Sequence, residues 1–361
     1  MIGPPKQKTP PTEVKPTGIG TASGGNSTAF VFPVCFEYLC VPLKGYARGI
    51  FGDEKSGSMK LALKIDVRTW RGTRESVPWL MDLLATYSAG ATFLFALGPD
   101  HSGRALPGLL RRGAVSKLRR QPLLTQYGFR TLFYGTLLPA PDIGAECADV
   151  MRSVRDAGFE VGIHAHDRVA WQRHAAGAGP DWTLRQMQLA CSRFEEIFGE
   201  PARVHGASGW QMNRHAYRLT QRLGFSYCSD TRGRGPFIPV YKAEIVACPQ
   251  LPTTLPTLDE LLGSADVTVE NIAERTLGLT RDPPPMGHVY TLRAELGSRL
   301  PLVLERLLEG WRGQGYDVVS LNQYMESLVF SDLPRHEITE GEVPGRPGPL
   351  ALQGREFLAG V

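Results

Sequence analysis

The sequence predicts an α/β fold built on a parallel sheet, and three observations carry that expectation. Strand and helix signals alternate over about 260 residues. The composition, 42% hydrophobic and 21% charged over 361 residues, supplies one large core. Successive strand candidates are separated by segments long enough for the crossovers that parallel pairing requires. Such alternation builds either a βα barrel or a doubly wound sheet.

Residues 1–25 are dominated by Pro, Gly, Thr, Ser and Lys, with too few apolar groups to offset the entropy of chain ordering, so disorder is expected there. Met59 is a candidate start of translation, which makes 1–58 an N-terminal extension and 59–330 the barrel. From Lys60 the chain alternates, with Leu61, Leu63, Ile65 and Val67 on one face and Lys60, Ala62, Lys64 and Asp66 on the other, the pattern of a strand. Helices are expected at 75–85, 145–157, 183–198, 213–223 and 300–312. Further strands are expected at 91–97, 160–165, 203–207, 225–229, 245–248, 288–292 and 316–321. No internal repeat is present. After Phe330 the chain turns to Pro, Gly and Glu, and 331–361 reads as a poorly periodic C-terminal tail.

The net charge is only +4, yet the positive charge is local: no acidic residue falls between Asp100 and Asp142, while Arg104, Arg111, Arg112, Lys117, Arg119, Arg120 and Arg130 do. With Leu106, Leu109, Leu110, Leu118 and Leu123 interleaved, 104–130 suits an anionic membrane surface or a lipid-linked phosphate. A solvated helical face is the plainer alternative. No nucleic-acid reading motif accompanies the charge, which argues against nucleic acid as a partner. The six cysteines show no CxxC spacing and favour reduced, cytosolic thiols over a disulfide framework. The apolar stretch 28–43 is interrupted by Pro33, Glu37 and Pro42 and is shorter than the roughly 20 residues of a spanning helix. It also lacks a signal-peptide cleavage pattern.

Several ordered segments carry a resemblance. They include Ile65-Asp66-Val67 with Arg71-Gly72-Thr73-Arg74-Glu75, Gly98-Pro99-Asp100, Glu160 to Ala165, Ala170-Trp171-Gln172, Ser208-Gly209-Trp210, Ser229 to Gly233, Thr254 to Glu260, and Val289-Tyr290-Thr291. Through them, Met59 to about Gly354 resembles the polysaccharide deacetylase family. Within it the chain is most similar to the bacterial branch that deformylates a lipid-linked 4-formamido-arabinose in lipid A modification. The resemblance implies a single distorted (β/α)7 barrel with its site at the carboxyl ends of the strands. It also implies divalent-metal-assisted hydrolysis of a carbohydrate amide at the cytoplasmic face of the inner membrane. In the family, the first aspartate of an Asp-x-Asp is the base, the second joins two histidines spaced i, i+4 on the metal, and a late histidine protonates the leaving amine. The metal matters because coordination lowers the pKa of water from about 16 towards 7.

Carried onto this chain, the resemblance makes Asp66 the base and His164 the first histidine ligand. Arg68 stands at the second aspartate, Arg168 at the second histidine, Arg293 at the acid histidine, and Gln211 at an arginine thought to support the base. A guanidinium has donors and no lone pair, so each arginine removes a ligand or acid and adds a fixed positive charge. A site left with one ligand does not hold a catalytic metal against water. Two functional classes stay open: a degenerate member that binds a lipid-linked or anionic amino sugar, and an active deformylase with a remodelled metal site. The second rests on Asp66, His164 and His166, because residues two apart on a strand point to one side. The arginines either form an anion pocket or pair with Asp66 and Asp167. Asp230, Arg232 and Asp259 are substrate-side candidates or loop-stabilising pairs.

Overall fold

The computed structural model describes Gly3 and residues 59–105, 130–264, 266–346 and 348–358. The expectations for 1–25, for Met59 as a start, for the apolar stretch 28–43 and for most of the basic stretch concern residues outside this set. The chain divides into two units, Met1–Phe51 and Gly52–Val361, and everything below belongs to the second.

In chain order the described strands are β1 (Met59–Val67), β2 (Thr92–Ala96), β3 (Glu160–Ala165), β4 (Val204–His205), β5 (Tyr227–Cys228) and β6 (Ile238–Tyr241). They are followed by β7 (Glu244–Ile245), β8 (His288–Arg293), β9 (Tyr316–Val319), β10 (Arg335–Glu342) and β11 (Pro349–Glu356). Seven of them form a parallel sheet in the order β5-β4-β3-β2-β1-β8, with β9 also on β1. The sheet curls with its helices outside, a distorted (β/α)7 barrel. β1 lies at its centre because its alternation serves both faces. Leu61, Leu63, Ile65 and Val67 join the cluster packed under the helices, whereas Ala62 joins Leu94, Val204, Tyr227 and Val289, one residue from each of five strands, inside the curl.

The crossover helices form where expected. Val77–Thr86 and Pro301–Gly313 carry proline in the first turn, where a missing N–H costs nothing. Asn213 and Asp167 cap their helices through side-chain oxygens. No helix among the described residues is long and apolar enough to cross a membrane.

The structure differs from the sequence expectation in the second sheet, where β6 was also not expected. The segment expected as a strand at 245–248 contributes only β7, which turns back on β6 through Lys242 and Ala243, both in the left-handed region at φ 50° and 66°. The C-terminal 331–361, expected as a poorly periodic tail, supplies β10 and β11, which complete a second sheet in the order β11-β10-β6-β7. The pattern was weak because β10 reads Arg-His-Glu-Ile-Thr-Glu-Gly-Glu and buries little more than His336. A strand half in solvent leaves almost no period-two signal.

Gly287 precedes β8 at φ 73°, and a β-carbon there would lie 2.1 Å from the Lys60 carbonyl oxygen. Gly287→Ala should therefore destabilise the barrel by at least about 1–3 kcal/mol, the cost of a left-handed non-glycine residue before any clash is added. Urea unfolding would show it as a lowered midpoint, and an unchanged midpoint would mean that the β1–β8 edge tolerates movement.

Candidate functional site

The inward face of β1 carries Lys64 and Asp66 to the carboxyl end of the sheet. Lys64 is fully buried, donates to the Ser229 carbonyl at 2.7 Å and lies 3.9 Å from Asp66 Oδ1. Burial lowers its ammonium pKa, against the pull of Asp66 and Asp230. Burial likewise pushes the Asp66 carboxyl up, opposed by Lys64, Arg68, Arg293 and Arg346. Asp66 Oδ1 has no hydrogen-bond partner among the described residues.

His164, on β3, lies 3.7 Å from Asp66 Oδ1 through Nδ1. That nitrogen donates to the Gly206 carbonyl at 2.9 Å, which leaves the lone pair on Nε2. Burial, then the nearby Arg68, Lys64 and Arg168, lower its pKa well below the ordinary value, so the ring is neutral. Nε2 also lacks a partner among the described residues. His166 does not join them. The β2–β3 register shifts between Phe95 and Ala96, and β3 ends at Ala165. Beyond that end the two-residue rule no longer applies. The His166 ring packs over Gly98, where an added β-carbon would meet it at 2.7 Å. Its charged neighbours are Arg193, Asp167, Asp142 and His101, none of them part of the Asp66 surroundings.

The three arginines have separate fates. Arg293 ends β8 directly across from Asp66 in the strand register and pairs through Nη2 with Asp259 Oδ2 at 2.9 Å. Arg68 is buried and close enough to Asp66, His164 and Asp259 to act on each electrostatically. Its backbone N–H donates to Glu295 Oε1 at 3.0 Å. Arg168 is drawn away, with Nη2 donating to Ser102 Oγ at 2.7 Å and Nε to the Arg68 carbonyl at 3.3 Å. Ser102 in turn donates to Asp100. Asp167 pairs with His101 and caps the following helix, so it does not neutralise Arg168 directly.

Asp259 and Glu260 gather a network that the sequence only half announces. Arg232 reaches Glu260 Oε1 at 2.7 Å. Arg346, from the turn between β10 and β11, reaches Asp259 Oδ2 at 3.0 Å, Glu260 Oε1 at 2.6 Å and Thr257 Oγ1 at 2.8 Å. Trp210 packs against both guanidiniums, 4.9 Å from Arg232 and 4.8 Å from Arg346. Burial works to raise the Asp259 pKa, but Arg293, Arg346, the Thr257 hydroxyl and Arg68 outweigh it and hold the carboxyl below its usual range. Arg346 and Lys64 are the site residues that sequence reasoning missed. The Lys64–Asp66 alternation was a usable signal for one, whereas nothing local marks Arg346.

The other candidates are structural in their contacts. Asp230 is fully buried and accepts from His205 Nδ1 at 2.7 Å, Ala207 N at 2.7 Å and Gln250 Nε2 at 3.1 Å, so it ties loops together instead of facing a ligand. Arg232 is committed to Glu260 and the Leu255 carbonyl. Gln211 donates to the Pro349 carbonyl at 2.8 Å, anchoring the C-terminal hairpin.

Two places bring potential metal ligands together. The charged neighbours are Lys64, Arg68, Arg293 and Arg346 around Asp66 and Arg68, Lys64 and Arg168 around His164, all of them cations without a lone pair to offer, so a divalent ion does not fit. Among the described residues, His205, Cys228 and Asp230 form the one cluster with metal-ligand spacing. There the 2.7 Å contact between His205 Nδ1 and Asp230 Oδ1 is a direct hydrogen bond. Two ligands each about 2.0–2.2 Å from a tetrahedral ion would stand farther apart.

No family model matches the chain. It is 33% identical over 295 residues, 81% of its length and 94% of the relative, to a probable 4-deoxy-4-formamido-L-arabinose-phosphoundecaprenol deformylase, ArnD, of Shewanella sediminis. A protein of the same name from Wigglesworthia glossinidia brevipalpis is 28% identical over 284 residues, 78% of this chain and 98% of that one. Among solved structures, a Mycobacterium smegmatis protein described as a polysaccharide deacetylase matches with a TM-score of 0.55 at 16% identity. That match covers 81% of this chain and 98% of the other, and it is a likeness of fold.

The raised Asp66 pKa has a signed consequence. A carboxyl that holds its proton more tightly folded than unfolded makes stability fall as pH rises from the unfolded value, about 3.9, through the folded one. The slope is up to about 1.4 kcal/mol per pH unit, and above the folded value the loss is complete. Asp66→Asn is neutral throughout and should be more stable than the unmodified protein at pH 7, with the gap closing towards pH 4. Urea midpoints at the two pH values test this. A variant less stable at pH 7 would show that the surrounding cations, not burial, dominate the carboxylate.

Proposed function

The chain belongs to the family of 4-deoxy-4-formamido-L-arabinose-phosphoundecaprenol deformylases, and on that premise we propose that it binds an anionic, lipid-linked amino sugar of that class without metal-assisted hydrolysis. One observation carries the proposal: Lys64, Arg68, Arg293 and Arg346 lie around Asp66, and Arg68, Lys64 and Arg168 around His164, so the positive charge that a divalent ion would bring is borne by the chain itself. Guanidiniums suit a phosphate or carboxylate through charge-assisted, forked hydrogen bonds. A carboxylate and a neutral imidazole remain beside them as acceptors for a sugar hydroxyl or amide N–H. Acid-base assistance from such a pair is worth about 10²–10⁴-fold, which leaves most of the barrier to amide hydrolysis in place. The remodelled site on Asp66, His164 and His166 draws no support from a His166 turned onto Gly98.

The proposed place of action is the cytoplasmic face of the inner membrane. There the lipid tail of the ligand stays in the bilayer while 104–130 meets anionic headgroups. Its seven basic residues and interleaved leucines support that role.

Three measurements test these proposals. Formate release from an N-formyl amino-sugar phosphate, with added Mn, Zn or Co, should be absent for the unmodified protein, and elemental analysis should find no stoichiometric metal. An Arg68→Asp, Arg168→His, Arg293→His variant should bind metal stoichiometrically, whereas chelator-sensitive release by the unmodified protein would refute the binding-only assignment. In liposome flotation, the protein should float with vesicles containing phosphatidylglycerol and much less with neutral ones, an effect weakened by salt. Equal flotation with both would remove the electrostatic role of 104–130.

A further inference from the structure

We propose that Cys228 and Cys248 are a latent redox pair, and that oxidation by a small disulfide or diazene joins them into a disulfide that locks one wall of the pocket. Cys228 ends β5, and Cys248 lies in the segment that returns beside it after the β6–β7 hairpin. The backbone fixes the two together. Cys228 N donates to the Pro249 carbonyl at 2.8 Å, and Leu251 N donates to the Cys228 carbonyl at 2.7 Å. Both side chains are fully buried, with the sulfurs 3.6 Å apart. A disulfide sets its sulfurs about 2.05 Å apart, so bonding needs a closure of about 1.5 Å, a shift on the scale of side-chain rotation. Nothing in this pair depends on whether the pocket binds an anion.

The span between the two cysteines, 20 positions apart, is tied to the site near its start. The Ser229 carbonyl accepts from Lys64, Asp230 accepts from His205, and Arg232 donates to Glu260. Its far end is held less firmly. β7 is two exposed residues long and joins β6 through Lys242 and Ala243, whose left-handed backbone is strained for non-glycine residues. Opening of that hairpin is the route by which a reagent reaches the sulfurs. Burial pushes the Cys228 thiol well above its ordinary pKa, so oxidation of the closed form is slow. One thiolate attacks the reagent and the second displaces the adduct, so two thiols give up two protons and two electrons. A disulfide reagent leaves as two thiols and a diazene as its hydrazine. The new bond closes the loop covalently and removes freedom from the unfolded chain.

Diamide, a small diazene, applied to the full chain without denaturant tests the proposal. After quenching, alkylation in urea should leave Cys228 and Cys248 unmodified. Digestion without reductant should then yield two peptides joined through them, lighter by two hydrogens than the separate pair and split by dithiothreitol. The oxidised protein should unfold at a urea midpoint higher by roughly 1 M, and dithiothreitol should return it to the reduced value. Cys248→Ser should lose both the cross-link and the shift, whereas Cys147→Ser should keep both. The decisive readings come from the unmodified protein, so they do not depend on how well a variant folds. If Cys228 and Cys248 are both alkylated after diamide, or Cys228 is found joined to a different cysteine, the pair is not a redox pair. A cross-link that forms without raising the midpoint would overturn the lock.

Discussion

Two adjacent buried carboxylates, Asp259 and Glu260, hold the upper end of this barrel together. Removing ionised carboxylates from water is costly unless cations and hydrogen bonds replace the solvent. Here the cations come from three distant segments: Arg232 after β5, Arg293 at the end of β8, and Arg346 in the last hairpin. Satisfying two acids thereby fastens a loop, a barrel strand and the C-terminal sheet to one another, and Trp210 lies against two of the guanidiniums.

The same tie explains how a metal-family pocket persists with different contents. Where a divalent ion would balance Asp66 and its neighbours, this chain uses side chains that keep their charge at any working pH. A guanidinium is fixed by its backbone, so the balance is built in at folding and does not depend on the supply of an ion. It also cannot polarise a bound water as a metal does, and that difference is the physical ground for the proposal of recognition without hydrolysis. Arg168 reaches this balance only electrostatically, through His164, because its guanidinium is bonded to Ser102 and the Arg68 carbonyl.

The backbone around the pocket was largely legible. β3 and β8, the helix 180–198 and the helix 301–313 follow from hydrophobic periodicity, a local property that burial on one face imposes. β6 and β10 escaped because a proline-containing short strand and a half-solvated one carry little period-two contrast. In the site, Asp66, Arg68, His164 and Arg293 were identified in sequence and do gather at the strand ends, since strand position and side-chain alternation survive folding.

The sequence by itself determined the barrel and the residues at its strand ends, arginines at 68, 168 and 293 among them, because residue type and periodicity are written locally. Tertiary structure alone decided which charge meets which. It turned His166 away after β3 ended, sank Asp230 among His205, Ala207 and Gln250, diverted Arg168 to Ser102, and carried Arg346 across 86 positions to Glu260. An arginine can pair with any carboxylate that folding brings within reach, and no local pattern records which one arrives.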